Sequence, residues 1–196
     1  VKVNIPEYKP KSYSMSAARP GEFDITFKVY PNGRCSGYLD SLEVGQSAMV
    51  FARGKNERRP GTHVGFVAFG VGITEALPIA EAELRKGTKH VHLLWSARTY
   101  ADMFWHEEIA ALQSKHEGAF DVTRILSQED KDKPGFLPRG RIDAQVLSQV
   151  FGHWKKKKKE EEGNVASGDS VVARFLTVGT KPMMRQAEKN LAIAGF

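Results

Sequence analysis

An apolar run followed by a glycine turn, between residues 63 and 75, restricts the fold more than any other part of the sequence. Residues 64–69 (VGFVAF) form an apolar run with the length of a buried strand. Two glycines and a threonine at 70–74 (GVGIT) then turn the chain into a helical pattern. A strand, a tight turn and a helix in this order present backbone N–H groups to a phosphate. The sequence therefore predicts an α/β unit that binds a phosphorylated ligand.

Strand patterns and helix patterns alternate after this turn. Strands are predicted at 64–69, 90–96, 120–126 and 171–178, and helices at 75–86, 101–115, 143–151 and 181–194. Alternation of this kind predicts a doubly wound parallel sheet with right-handed crossovers. Ligands of such sheets bind outside the carboxyl ends of the strands.

The first 61 residues have a different pattern, which predicts a small β domain. Residues 11–16 are the only strand-like piece before residue 22, and the alternation at 23–30 predicts a half-buried strand. Ser36 is expected to cap a short helix that Gly45 ends, and another strand is expected at 47–53. The polar loop at 54–61 places the domain boundary, which gives domains at 1–61 and 62–196.

Composition excludes several classes of protein. The single cysteine, Cys35, excludes an internal disulfide and a thiolate metal cluster within one chain. His106-Glu107-Glu108 lacks the second histidine of a zinc helix, so no metal site is expected. No apolar run has the ~20 residues that a spanning helix needs. We therefore expect no membrane span and a cytoplasmic location, or the cytosolic face of a membrane if a missing N-terminal segment carries an anchor.

The balance of charge favours acidic partners without choosing among them. The formal net charge is +6. Five consecutive lysines at 155–159 are followed by three glutamates, a run typical of a solvated segment. A basic docking patch is the alternative interpretation of this run, and nucleic acid is not an expected partner.

Candidate ligand-binding residues lie at the predicted carboxyl ends of the strands. As a bare pattern the two glycines after the first strand are weak evidence, because glycines at such turns often serve structure alone. Arg98 follows the second strand, where it either holds a ribose phosphate or is an ordinary surface arginine. The candidates at this edge are Gly70, Gly72, Thr74, Ser96, Ala97, Arg98, Ser127, Gly179, Thr180, Lys181 and Pro182.

Four motifs in this order resemble those of one known family. Residues 11–14 (KSYS) are similar to an R-x-Y-[ST] flavin motif, and residues 30–39 (YPNGRCSGYL) to a flavin-phosphate segment with the pattern G-x-x-S-x-x-L. Residues 70–75 (GVGITE) resemble G-x-G-I-T-P, and residues 178–184 (VGTKPMM) resemble C-G-P-x-P-M. The chain thus resembles the ferredoxin-NADP reductase superfamily over nearly its whole length, in particular its NADH-cytochrome b5 reductase branch.

The resemblance implies an FAD site in the first domain. Tyr13 would pack against the isoalloxazine and ribityl part of FAD, and Ser14 would hydrogen-bond near the flavin N5. Lys11 takes the place of an arginine that pairs with the pyrophosphate. The pyrophosphate would also be held by the turn and helix start formed by Gly33, Arg34, Cys35 and Ser36.

The second domain would hold the nicotinamide nucleotide, NADH with NADPH as the alternative. Gly70, Gly72 and Thr74 would lie on one side of the nicotinamide, and Gly179, Pro182 and Met183 would line the other. The reaction implied is hydride transfer from nicotinamide to flavin, with Ser14, Thr74 and Met183 as the residues nearest the chemistry. Electrons would then pass to an acidic acceptor protein such as cytochrome b5.

The sequence departs from the family pattern in ways that leave two functions open. Glu75 replaces a proline and Val178 a cysteine, while Ser127 and Arg98 form a combination that tolerates the 2′-phosphate of NADPH. The family's flavin domain is a six-stranded barrel, and only about ten residues precede Tyr13 here. We expect a truncated antiparallel β domain, or partial flavin barrel, that binds FAD weakly, between two chains of a homodimer, or not at all. The alternative function is therefore a nucleotide-binding or interaction module that has lost flavin and catalysis.

Overall fold

A computed structural model describes residues 1–51, 61–155 and 171–196 of the chain. The chain divides into two units, Val1–Arg58 and Arg59–Phe196. No helix in the described ranges is both long enough and apolar enough to cross a bilayer. The lysine and glutamate run predicted to be solvated lies outside those ranges, apart from Lys155.

The first unit is built from short antiparallel strands and one helix. Strand β1 pairs with two partners to give a three-stranded sheet of order β2-β1-β5, and β3 pairs with β4 in a separate hairpin. Val3 and Ile5 on β1 are the buried apolar side chains of the described part of this unit. The elements are β1 (Lys2–Ile5), β2 (Tyr8–Ser12), β3 (Ala17–Arg19), β4 (Glu22–Asp24), α1 (Arg34–Asp40) and β5 (Val50–Phe51).

Three predictions for this unit are wrong or only partly right. The strand predicted at 23–30 ends at Asp24, because only Glu22–Asp24 pairs with a neighbour, across a hairpin that turns at Gly21 with φ +78°. The strand predicted around 11–16 lies earlier, at β2, and β1 was not predicted at all. The strand predicted at 47–53 is reduced to β5, and residues 52 and 53 lie outside the described residues.

The second unit contains a four-stranded parallel sheet of order β8-β7-β6-β9. The predicted α/β architecture, with its antiparallel part followed by a doubly wound parallel sheet, is confirmed. The strands are β6 (His63–Phe69), β7 (His90–Ala97), β8 (Phe120–Leu126) and β9 (Ala173–Val178). The helices are α2 (Ile73–Arg85), α3 (His106–Lys115), α4 (Ala144–Phe151) and α5 (Lys181–Ile193).

Each face of the parallel sheet has its own hydrophobic core. On one face, α2 and α3 pack Leu77 and Ile109 against strand residues that include the fully buried Trp95. On the other face, α4 and α5 pack Phe151 and Leu191 in the same way. Helices therefore cover both faces of the sheet, as is usual for parallel sheets.

The helix predicted at 101–115 is shorter than expected. Residues Tyr100–Asp102 form a 3-10 turn, and α3 begins only at His106. The interruption is at Trp105, which has φ +59° and therefore lies in the left-handed region, where an α-helix does not continue. Met103 is nevertheless buried, as the predicted helix required.

Candidate functional site

The turn after β6 is held by a tryptophan from the neighbouring strand. Residues Gly70–Gly72 form a 3-10 turn that leads directly into α2. Gly70 has φ +53°, a conformation that side chains with a Cβ rarely adopt. The indole N–H of Trp95 donates to the Gly70 carbonyl oxygen at 2.9 Å. This contact fixes the turn that the sequence predicts to face the nicotinamide.

Two glycines let the ends of β6 and β9 approach closely. A Cβ on Gly72 would lie 2.7 Å from the Val178 carbonyl oxygen, and a Cβ on Gly179 would lie 3.1 Å from Phe69. Both glycines are therefore needed for packing at this edge of the sheet. The structure thus brings together the two motifs, at 70–75 and 178–184, that are far apart in the sequence.

The other predicted nicotinamide-side residues differ in exposure. Thr74 is buried, and its hydroxyl donates to the Val71 carbonyl oxygen at 2.9 Å, so this hydroxyl stabilises the turn. Pro182 and Met183 lie in the exposed first turn of α5, which begins after Thr180 without a side-chain cap. Met183 is 47% exposed, so its thioether is accessible to a ligand at the carboxyl edge.

Arg98 lies at the same edge, next to the end of β8. The Ser127 N–H donates to the Ala97 carbonyl oxygen at 3.0 Å, which brings the ends of the two strands together. The guanidinium of Arg98 is already paired, since its Nε donates to the Asp102 carboxylate at 3.2 Å. An anionic ligand would have to share Arg98 with this carboxylate.

An aromatic cluster beside Arg98 was not predicted from the sequence. The Tyr100 ring stacks on His106 with 5.1 Å between centroids and meets the edge of Phe136 at 6.0 Å. The Lys133 ammonium lies 3.7 Å from the Tyr100 ring centroid. Because Phe136 and Lys133 belong to the loop after β8, only the fold reveals that they meet Tyr100.

Two of the predicted flavin motifs meet within the first unit. The Tyr13 hydroxyl and the Cys35 sulfur are 2.9 Å apart. Burial, together with the neighbouring Cys35, holds the pKa of the Tyr13 phenol above its usual value. The phenol therefore stays protonated and neutral at physiological pH.

The turn before α1 is closely packed around Gly33. A Cβ on Gly33 would collide with the Ser36 hydroxyl and lie 2.9 Å from the Tyr30 carbonyl oxygen. The prediction that Ser36 caps the helix is wrong, because Gly33 is the N-cap and Ser36 lies inside α1. Its hydroxyl accepts from the Tyr30 N–H at 3.1 Å and donates to the Gly33 carbonyl oxygen. No side chain caps α1, so its first N–H groups are not satisfied by a capping side chain.

The remaining flavin-side candidates, Lys11, Ser14 and Arg34, differ in environment. Lys11 is exposed on β2, where it pairs with Val3, and Ser14 is half-buried just beyond the end of that strand. The Arg34 guanidinium lies 4.7 Å from the ring centroid of Tyr8. Lys11 and Arg34 are the basic side chains that the two predicted flavin motifs themselves carry.

Four histidines gather at the opposite, amino-terminal end of the parallel sheet. His90 lies between His63, His92 and His153, with ring centroids 5.9 to 6.3 Å away. His90 Nε2 is 2.9 Å from the Asp121 carboxylate. Within the described ranges no group of three or more metal-ligating side chains has a geometry that holds a metal ion. Sequence spacing did not predict this cluster, because its members come from separate elements.

Comparison with known proteins identifies the family. A sequence model of the oxidoreductase NAD-binding domain family matches residues 66–189. The chain belongs to this family. The match includes the turn after β6 and the start of α5, the two segments predicted to lie on either side of the nicotinamide.

Curated relatives support the more specific resemblance. NADH-cytochrome b5 reductase 1 of Dictyostelium discoideum is 30% identical over 149 residues, which cover 72% of this chain and 52% of the relative. The enzyme of the same name from Cryptococcus neoformans is 28% identical over 184 residues, which cover 90% of this chain and 58% of the relative. The chain spans about half the length of these relatives.

Solved structures show the same fold. The cytochrome b5 reductase domain of Ulva prolifera nitrate reductase superposes with a TM-score of 0.76 at 21% identity, covering 100% of this chain and 78% of that one. The FAD/NAD-binding domain of a Vibrio cholerae nitric oxide dioxygenase gives 0.70 at 19% identity, covering 99% and 77%. The resemblance to the ferredoxin-NADP reductase superfamily, predicted from four short motifs, is confirmed.

Proposed function

We propose that this oxidoreductase NAD-binding domain protein transfers a hydride from NADH or NADPH to FAD and passes the electrons to a protein acceptor. The observation that carries the proposal is the close packing of the two glycine turns, Gly72 on Val178 and Gly179 on Phe69, at the carboxyl edge of the sheet. It leaves an open edge of backbone and small residues where a nicotinamide can lie. Bound FAD would supply the hydride acceptor that no amino acid side chain provides.

The residues of the chain would bind and orient the two cofactors. In the first unit, the uncapped start of α1 and the cations of Lys11 and Arg34 suit the pyrophosphate of FAD, while the neutral Tyr13 ring suits the flavin. In the second unit, Gly72 and Thr74 would fix the nicotinamide position, with Met183 on its other side. Catalysis would then come from orientation, so a general base is not required.

The choice between NADH and NADPH is expected to be weak. Arg98 favours a 2′-phosphate, but Asp102 at 3.2 Å already partly neutralises it and repels the same phosphate. These opposing effects predict affinities for NADH and NADPH that differ by less than about a hundredfold, or ~2.7 kcal/mol. Titration calorimetry with each nucleotide measures this ratio directly, and a larger ratio contradicts the interpretation.

An acidic electron acceptor suits the chain's charge of +6. The named activity of the relatives suggests cytochrome b5 as the acceptor to test. Steering between opposite charges is screened by salt, so the reduction rate of cytochrome b5 should fall steeply as ionic strength rises. A rate independent of salt would contradict an electrostatically guided partner.

The first test is the binding of FAD to the purified chain. We expect the visible absorbance of bound flavin, either as purified or after incubation with FAD, and NADH-dependent reduction of ferricyanide. A chain that gains no flavin absorbance in excess FAD contradicts the proposal. Mass measurement with and without FAD would show whether a homodimer completes the flavin site.

The sparse core of the first unit favours a second candidate function, a nucleotide-binding module without flavin. Only Val3 and Ile5 are buried apolar side chains in the described part of this unit. This alternative predicts calorimetric binding of NADH or NADPH with no reduction of ferricyanide. The two functions therefore give opposite results in the same pair of measurements.

A further inference from the structure

A contact between Tyr13 and Cys35 joins two segments of the first unit that were predicted separately to bind FAD. The Tyr13 hydroxyl lies 2.9 Å from the sulfur of Cys35, 22 residues further along the chain. Tyr13 belongs to the motif at 11–14, and Cys35 belongs to the turn and helix start at 33–36. Cys35 is also the only cysteine of the chain.

The other contacts of Tyr13 involve its backbone and its ring, whereas its hydroxyl contacts Cys35. Its backbone N–H donates to the Val1 carbonyl oxygen at 2.9 Å, which fixes the start of the side chain. Its ring meets Phe27 edge to face, with 5.9 Å between centroids and 70° between planes. Backbone and ring packing limit the position of the phenol, and the contact with the sulfur fixes its far end.

Cys35 itself is placed by a well-defined turn. It is the second residue of α1, directly after Gly33 and Arg34, and it is neither fully buried nor fully exposed. The Ser36 hydroxyl next to it bonds to both Tyr30 and Gly33, which holds the helix start in place. A group attached to this helix start therefore has a fixed position relative to the turn.

We propose that Cys35 is a positioning residue that sets the orientation of Tyr13 for FAD and ties it to the turn that takes the pyrophosphate. The inference rests on the proposed function. This contact keeps Tyr13, which faces the flavin ring, at a constant position relative to the turn that faces the phosphates. Loss of the thiol would free the Tyr13 ring and weaken FAD binding without removing any group that touches FAD.

The contact also has an electrostatic signature that is independent of flavin. Burial contributes most to the raised pKa of the Tyr13 phenol, and the hydrogen bond with Cys35 raises it further. Replacement of Cys35 by alanine should therefore lower the pKa of Tyr13, whereas serine, which puts a hydroxyl in place of the thiol, should preserve most of the effect. An alkaline ultraviolet titration of the flavin-free protein measures this change, and the Tyr13→Phe variant identifies the signal.

The experiment compares FAD affinity and tyrosine titration in five variants of the full chain. Cys35→Ala and Tyr13→Phe should each weaken FAD binding about fivefold, the size of one ordinary hydrogen bond. The double variant should be no weaker than the weaker single variant, because both changes break the same contact. Cys35→Ser should bind FAD within about twofold of the wild type. Tyr8→Phe, which removes a hydroxyl from an exposed ring of the same unit, is the matched control and should bind as the wild type does.

The outcomes separate this inference from the proposed function. If the wild-type chain binds FAD but the losses from Cys35→Ala and Tyr13→Phe are additive, or the pKa of Tyr13 does not fall in Cys35→Ala, the inference is overturned and the function stands. If Cys35→Ser binds as weakly as Cys35→Ala, a role for the hydrogen bond between positions 13 and 35 is also overturned. If the wild-type chain binds no FAD, both the function and the inference fail.

Discussion

The two units of this chain are stabilised in different ways. Unit Arg59–Phe196 buries apolar side chains on both faces of its sheet, whereas the described part of unit Val1–Arg58 buries only Val3 and Ile5. Large apolar side chains of the first unit are exposed instead: Tyr8, Met15, Phe23, Val29, Tyr30, Val44, Met49, Val50 and Phe51. Hydrophobic burial is the main source of folding free energy. The stability of the second unit thus comes mainly from its hydrophobic cores. The stability of the first unit depends more on strand pairing, turns and bound ligand.

This difference matches the roles proposed for the two units. A nucleotide that binds at the carboxyl edge of β6 and β9 meets a surface fixed by Trp95 and by two glycine contacts. A flavin that binds near Tyr13 meets strands that are short and half-exposed. We therefore expect ligand binding to raise the stability of the first unit strongly and that of the second unit only weakly.

The largest expected effect comes from emptying the core of the second unit. Phe151 is fully buried against Phe175 and Trp154, so Phe151→Ala should lower the free energy of unfolding by about 3–5 kcal/mol. The matched control in the first unit is Phe51→Ala, because Phe51 is 45% exposed and should cost less than about 1 kcal/mol. Chemical denaturation followed by fluorescence measures both. Equal losses would show that the two units do not differ in packing.

Acid should destabilise the second unit through the histidine cluster. Desolvation by burial lowers the pKa of His92 to about 4, an effect that His90 and His153 reinforce and Asp121 opposes. The unfolded chain therefore takes up the proton first as pH falls, so stability is lost between about pH 6.5 and 4. At about 1.4 kcal/mol per pKa unit, this loss reaches about 3 kcal/mol.

A histidine variant tests this pH dependence. His92→Gln keeps a polar group near Thr123, the hydrogen-bond partner of His92, but cannot titrate. It should flatten the fall in stability between pH 6.5 and 4. Denaturation midpoints measured across this pH range give the dependence of stability on pH. If that dependence is the same in His92→Gln as in the wild type, His92 is not its source.

FAD should protect the first unit selectively. At a free concentration of about 100 times its Kd, a ligand that binds only the folded state adds about 2.7 kcal/mol. Hydrogen exchange should therefore slow in residues 8–40 when FAD is added and change little in β6 to β8. Protection spread evenly over both units would contradict the view that only the first depends on ligand.

The smallest expected effect tests the close approach at the nicotinamide edge. Gly72→Ala puts a methyl group 2.7 Å from the Val178 carbonyl oxygen and should cost about 2 kcal/mol of stability, with weaker nucleotide binding. Gly37→Ala in α1 is the control, because nothing lies within 4 Å of its Cβ and alanine favours a helix. Calorimetry with NADH separates the two, and equal affinities would argue against a nucleotide at this turn.

How far the sequence predicts the structure also differs between the units. The strands and helices of the second unit are recognisable because each has an apolar face whose period matches its geometry, as in the residues of α2 that face the core. In the first unit the pairing partner decides where a strand lies, so the alternation at 23–30 misleads and the short β1 is missed. Helix α3 begins late because of the backbone of Trp105, which no periodicity reveals.

The candidate site residues lie in motifs that are visible in the sequence, whereas the contacts between those motifs are not. Gly72 and Gly179 are visible in the sequence, but the packing of Gly72 on Val178 depends on β6 and β9 being neighbours. The same holds for Tyr13 with Cys35 and for Trp95 with Gly70. Such pairs are set by topology, which a local pattern does not contain.

Anaerobic titration of the FAD-loaded chain with NADH tests the central claim most directly. We predict that one equivalent of NADH bleaches the visible absorbance of the bound flavin and is converted to NAD⁺. Stoichiometric binding of NADH with the flavin spectrum unchanged would contradict hydride transfer between the two cofactors.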